Sequence, residues 1–243
     1  MLIFNCSRTF AEFIEPKPKA DVPPLVQTPP SPSLADDAEL LSDRAGEKPV
    51  HLQQWVVHLV RIRRKPCVLV MEADTRYAMV FTGLKKGDMA GFINQVIERL
   101  ANEMTFAVGD LSMMADFDVT MAQFLARHRD FRFFLRMDRS VQAHLKEAAW
   151  YLEDWIVEAN RLPEGHEECA MVDERVNRTI RSTKSHKDYF VPAEEMLIDW
   201  LTSYAGLTAQ GEAKLRAQIR ENKRRVMPNE VPIVNAKAAN DHG

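Results

Sequence analysis

WVVHLVRIRRKPCVLVMEADTRYAMVFT, residues 55–82, alternates three apolar runs with two polar turns. Over 55–62, Val56, His58, Val60 and Ile62 share one side of an extended chain, and Trp55, Val57 and Leu59 the other. Apolar groups on both sides predict a strand covered on both faces. Arg63-Arg64-Lys65-Pro66 is a turn, and the unbroken apolar run 67–71 is the next strand. Residues 72–76 turn the chain again into a strand over 77–81. Loops this short join only antiparallel neighbours, so the stretch predicts a meander.

Before it, residues 2–6 form a short β-prone run, and Phe10, Phe13 and Ile14 fall at helical spacing. Residues 16–49 then carry prolines 16, 18, 23, 24, 29, 30, 32 and 49. Proline fixes φ and removes a donor, so this segment is expected to be a disordered tether. A lone strand is unstable, so 2–6 is expected to return to the sheet across the tether. After it, Asp88 caps a helix with Phe92, Ile93, Val96, Ile97, Leu100 and Met104 on its apolar side. One or two short helices are expected over 111–125, and a fifth strand over 131–135. The longest apolar stripe, Val141, Leu145, Ala148, Leu152, Trp155 and Ile156, starts a helix at Asp138 or Ser140 that Pro163 and Gly165 stop. Helices are expected over 169–183, from Pro192 to Tyr204, and from Thr208 to about Val226. The class is α+β: a small, mostly antiparallel sheet packed against several helices. Residues 1–15 and 50–205 are read as one domain, 206–226 as a basic helix and 227–243 as a flexible tail.

Thirty-two Lys and Arg against 35 Asp and Glu give a net charge of −3. That balance excludes nucleic-acid binding by bulk charge alone. No run approaches the ~18 apolar residues of a membrane span. Met1-Leu2-Ile3-Phe4 is too short for the ~7–15 residue core of a secretory signal. Cys6, Cys67 and Cys169 are odd in number and far apart, which excludes a Cys-x-x-Cys knuckle and suits free thiols in a reducing compartment. The expected location is cytoplasmic.

A set of short motifs occurs in order along the chain. They are Ile3-Phe4-Asn5-Cys6, Trp55, Ile62-Arg63-Arg64-Lys65, Asp74-Thr75-Arg76-Tyr77, Gly83-Leu84-Lys85, Asp138-Arg139-Ser140-Val141, Arg175-Val176-Asn177-Arg178-Thr179 and Tyr189…Pro192…Glu195-Met196. Together they resemble an uncharacterised bacterial family of small plasmid- and chromosome-borne proteins, known as a domain of unknown function. The resemblance spans roughly residues 1–15 and 50–198. It implies no activity, cofactor or catalytic residue. This chain departs from it in its longer Pro-rich segment, in Leu135-Arg136-Met137 where Lys-Thr is usual, and after Tyr204.

Motifs that carry chemistry are sparse. No two of the seven histidines are spaced as His-x-x-x-His, and His166-Glu167-Glu168-Cys169 packs ligand types too closely to converge on one ion. His58 reads as a satisfied core histidine, and Cys67, inside an apolar run, as an inert thiol. There is no Gly-x-Ser-x-Gly elbow and no Gly-rich phosphate loop. Glu72 and Asp74 flank a strand end as in a metal nuclease, but the lysine that should follow is missing. No cofactor is expected.

Arginine placement is more informative. Arg63, Arg64, Arg76, Tyr77, Arg139 and Ser140 are the candidate contacts for an anion or a partner. The turns at 63–66 and 72–76 fall at opposite sheet ends, so these cations cannot all converge. Arg76 with Arg139 and Ser140 at a helix start could hold an anion. The last helix sets Lys214, Arg216, Arg220, Lys223, Arg224 and Arg225 against Glu212 and Glu221, a candidate contact for nucleic acid or an acidic partner. The expected function is a non-enzymatic interaction or regulatory module, from a mobile element on the family resemblance. Its protein partner and oligomeric state are unassigned, and no membrane is involved. The alternatives are a nucleic-acid-associated protein using 63–65 and 212–225, and a hydrolase of a phosphorylated small molecule.

Overall fold

The elements run β1 (Leu2–Cys6), α1 (Arg8–Ile14), β2 (Val26–Gln27), β3 (Gln53–Ile62), β4 (Lys65–Glu72), β5 (Ala78–Thr82), α2 (Met89–Asp110), α3 (Phe117–Arg127), β6 (Phe131–Leu135), α4 (Arg139–Ala159), α5 (Gly165–Asn177), α6 (Pro192–Tyr204) and α7 (Ala209–Val226). The computed structural model describes residues 1–17, 21–37, 52–110, 117–183 and 188–226, without the side chains of 110, 117, 127 and 223–226. Expectations for 18–20, 38–51, 111–116, 184–187 and the tail 227–243 lie outside the described residues, as do the side chains of Lys223, Arg224 and Arg225. Met1–Gly206 and Leu207–Gly243 are separate units, and α7 belongs to the second.

The first unit is α+β, but its sheet is mixed rather than mostly antiparallel. Strand order is β2-β6-β1-β3-β4-β5. The expected antiparallel meander is there: β3 pairs with β4 and β4 with β5. The N-terminal strand does return across the Pro-rich segment, and it enters the middle of the sheet. It runs parallel to β3 on one side and to β6 on the other, and β2 is parallel to β6. Short loops force antiparallel pairing, whereas the long connections around β1, β2 and β6 leave room for parallel crossovers. The helix expected over 169–183 instead spans 165–177. Beyond it Arg181 leaves helical geometry to exchange backbone hydrogen bonds with Phe190, at 2.8 and 2.9 Å.

Strand alternation sends side chains to two faces. On one, Val56, Leu69, Met71 and Val80 pack against Val141, Leu145, Ala148, Leu152 and Ile156 of α4 and Val172 and Val176 of α5. On the other, Phe4 lies 5.1 Å from Phe133 and 5.3 Å from Phe92 of α2, and Phe10 of α1 lies 5.0 Å from Phe92. α4 begins at the cap Asp138, whose side chain accepts from Ser140 N and Val141 N, and ends at left-handed Asn160. Its 21 residues span about 30 Å, long enough to carry one end of the meander to the other.

Candidate functional site

The turn from β4 to β5 is built on Glu72. Its buried Oε2 accepts from Asp74 N at 2.8 Å, Thr75 N at 2.7 Å and the Thr75 hydroxyl at 2.9 Å. Burial and the nearby Asp74 push its carboxyl up to about 7, with the Thr75 N–H opposing them. The turn closes with Arg76 N donating to Glu72 O at 3.1 Å, and Arg76 adopts φ 61°. A left-handed backbone is uncommon for an arginine. Here it goes with a side chain that reaches the start of α4, where Arg76 Nη2 donates to Ser140 Oγ at 2.8 Å.

Ser140, His144 and Glu147 recur at four- and three-residue steps, so they share one side of α4. Arg181 reaches that side from beyond α5, and its Nη1 donates to Glu147 Oε2. Arg76 and Arg181 are 5% and 3% exposed. Yet Nε and Nη1 of Arg76, Nε and Nη2 of Arg181 and Nδ1 of His144 are buried without a hydrogen-bond partner. Each buried donor left without a partner costs about 1–3 kcal/mol, more where charged. Ser140 is exposed, so the cluster meets solvent on that side.

The charges are mutually felt. Burial lowers Arg76, Glu72, Asp138 and Asp74 draw it back up, and Arg181 lowers it further. Burial, Arg181 and Arg76 hold His144 below the ordinary histidine range, with Glu147 opposing. Burial would raise Asp138, but the Val141 and Ser140 donors and Arg76 outweigh it and hold the carboxyl below its usual range.

Of the residues singled out in the sequence, Arg76 and Ser140 come together. Arg139 is exposed at the start of the same helix. Tyr77 points elsewhere: it is buried within electrostatic reach of Glu103, Asp173 and Arg99. Arg63 lies at the far end of α4, donating to Asn160 O at 2.7 Å and Asn160 Oδ1 at 3.1 Å, and Arg64 is exposed beside it. In α7 Arg216 pairs with Glu212 at 2.9 Å, while Lys214 and Arg220 are exposed. Sequence reasoning missed His144, Glu147 and Arg181. The spacing of Ser140, His144 and Glu147 was visible as a polar stripe bordering the apolar one. Nothing in the sequence marks Arg181 as facing it.

A second ionic cluster serves the sheet edge. Asp173 Oδ1 accepts from Val80 N at 2.8 Å, Arg99 pairs with Asp173 and donates to Val80 O, and Asn177 exchanges hydrogen bonds with Ala78 N and O. The three thiols are buried, and burial raises all of them, Cys67 to about 11. His58 is only half-buried, and its Nδ1 has no partner, unlike the satisfied core histidine expected. Among the described residues no three His, Cys, Asp or Glu side chains gather as metal ligands, and no helix is long and apolar enough to cross a membrane.

A family model described as a domain of unknown function, DUF6933, matches residues 3–195, which takes in every residue of the Arg76–Arg181 cluster and stops before α7. No curated protein and no solved structure matches the chain.

Proposed function

The chain belongs to the DUF6933 family, a domain of unknown function, and we propose from its own geometry that it is a non-enzymatic binding module that takes a small anion between Arg76 and Arg181. The observation that carries this reading is the pair of buried guanidinium groups, each with two nitrogens lacking a partner. Burying a cation is costly unless its hydrogen bonds are met, and an oxyanion meets them with charge as well. Ser140, whose hydroxyl already holds Arg76, gives the ligand its way in from solvent.

The nucleic-acid reading has less to draw on. Arg63 is engaged at the end of α4 and Arg216 with Glu212, which among the described residues leaves Arg64, Lys65, Lys214 and Arg220 as the other exposed cations of that set.

Titration calorimetry with sodium sulfate and with sodium acetate tests the proposal. At least one anion is expected to bind saturably to the wild-type chain and about tenfold or more weakly to Arg181→Met, which keeps the side-chain length and loses the donors. Circular dichroism checks that the variant folds. Saturable heat with neither anion, or equal affinity in Arg181→Met, refutes the reading.

A further inference from the structure

We infer that the ligand is a doubly charged tetrahedral oxyanion, such as a phosphoryl or sulfate group, and that His144 takes up a proton when it binds. This rests on the anion-binding reading above and adds the ligand's class and its coupling to pH.

The donor set argues for the shape. Nε and Nη2 of Arg181, both without a partner, form one complete side-on fork, which fits two oxygens of a single oxyanion. Nε and Nη1 of Arg76 do not share an edge of the guanidinium, so Arg76 offers the same anion one of them as a single donor. His144 Nδ1 adds a third approach from α4. These groups come from three separate segments: the β4–β5 turn, α4 and the strand-like stretch after α5. A planar carboxylate has two oxygens in one plane and leaves some of these donors idle. A tetrahedral group with three free oxygens can engage the Arg181 fork with two and turn the third toward Arg76 or His144.

The charges argue for the proton. Arg181 is already paired with Glu147. Arg76 lies within reach of Glu72, Asp74 and Asp138 as well as Arg181. Two positive charges are thus largely offset before any ligand arrives, and a dianion needs a further one. His144 faces Arg76, Arg181 and Glu147 and is held neutral at pH 7 by burial and the two arginines. A bound dianion reverses the sign of that field, and Nδ1 becomes a charged donor to it.

Sulfate suits the test because it stays doubly charged across the histidine range. Calorimetry near neutral pH, in two buffers of different ionisation heat, reads protons taken up per sulfate bound. The wild-type chain is expected to take up close to one proton, and to bind sulfate about tenfold or more tightly at low pH than at high pH. His144→Gln is expected to lose the uptake and the pH dependence while still binding at high pH. Acetate binding as tight as sulfate overturns the inference. So does uptake that persists in His144→Gln and vanishes in Glu72→Gln, which places the proton on Glu72. Both results leave the anion-binding reading standing. Absence of saturable binding by either anion at every pH refutes that reading itself.

Discussion

At Glu72 the fold sets an ionisable group where water cannot reach it and spends one of its oxygens on a turn. Its carboxyl titrates near 4.5 when unperturbed and at about 7 in the folded chain. Between those values the folded state keeps a proton that the unfolded state gives up, so rising pH favours unfolding. The penalty is absent below the lower value, grows as pH rises through the window, and reaches about 3 kcal/mol above the upper one. Asp138 acts in the other direction, but its depressed carboxyl matters only as pH falls below its ordinary value of 3.8. Urea unfolding is therefore expected to show a more stable chain at about pH 5.5 than at about pH 8. Glu72→Gln, which keeps an acceptor for Asp74 N and Thr75 N, is expected to lessen that difference and leave the share of Asp173, whose carboxyl burial also raises to about 7. An unchanged slope in the variant sinks the assignment. The other tight turn was legible as a turn over 63–66 but not in its two-residue geometry, since Lys65 and Pro66 already belong to β4. Arg63 and Arg64 sit at φ 48° and 67° between paired Ile62 and Lys65, a two-residue hairpin geometry usually signalled by Asn-Gly. Two arginines give no such signal.

Among the elements, α5 does what a neighbouring strand would do. β5 is the last strand of the sheet, so its outer edge needs cover. Cys169, Asp173 and Asn177 stand at successive four-residue steps of α5, opposite Thr82, Val80 and Ala78 at two-residue steps of β5. Four helical residues rise ~6 Å and two strand residues ~6.6 Å, so the two periods stay in step over this length. Asn177 is the cleanest probe, since it alone serves both the N–H and the C=O of Ala78, at 2.7 and 2.8 Å. Asn177→Ala leaves both groups buried without a partner and is expected to cost about 2–4 kcal/mol in urea unfolding. Glu174→Ala on the exposed side of the same helix is expected to stay within about 0.5 kcal/mol. Equal effects would mean the edge is not held by these bonds. The apolar face of α4 was legible because helical period and burial coincide at each of its six stripe positions. The polar cover of β5 was not, because Asp173 and Asn177 look like solvated helix residues until the strand beneath them is known.

Across the first unit, Arg136 makes some of the least local contacts. It follows β6, yet its side chain gathers β1 and the Pro-rich segment: Nε and Nη2 donate to Asn5 Oδ1 at 2.9 and 2.6 Å, and Nη1 donates to Ser31 O at 2.9 Å and Ser33 O at 3.0 Å. Asp37, fully buried, neutralises it. Residues 21–37 thus supply the edge strand β2 and a buried counter-ion, contributions that proline content conceals because proline argues only against helix and ladder. The strand in the middle of the sheet was legible as a strand but not in its direction, since parallel pairing is decided by crossovers whose course no local pattern records. The ion pair makes that long-range order testable. Asp37→Leu leaves a buried guanidinium without its counter-charge and is expected to cost about 3–5 kcal/mol. Arg136→Met strands the carboxylate and is expected to cost about as much. Made together, they remove both charges, so their costs are expected to fall short of additivity by about 2 kcal/mol or more. A broad-specificity protease adds a spatial readout: under native conditions either single variant is expected to be cut within 21–37 well before the β3–β5 meander. Additive costs, or cleavage that begins in the meander, would show that Asp37 and Arg136 do not fasten this segment to the sheet.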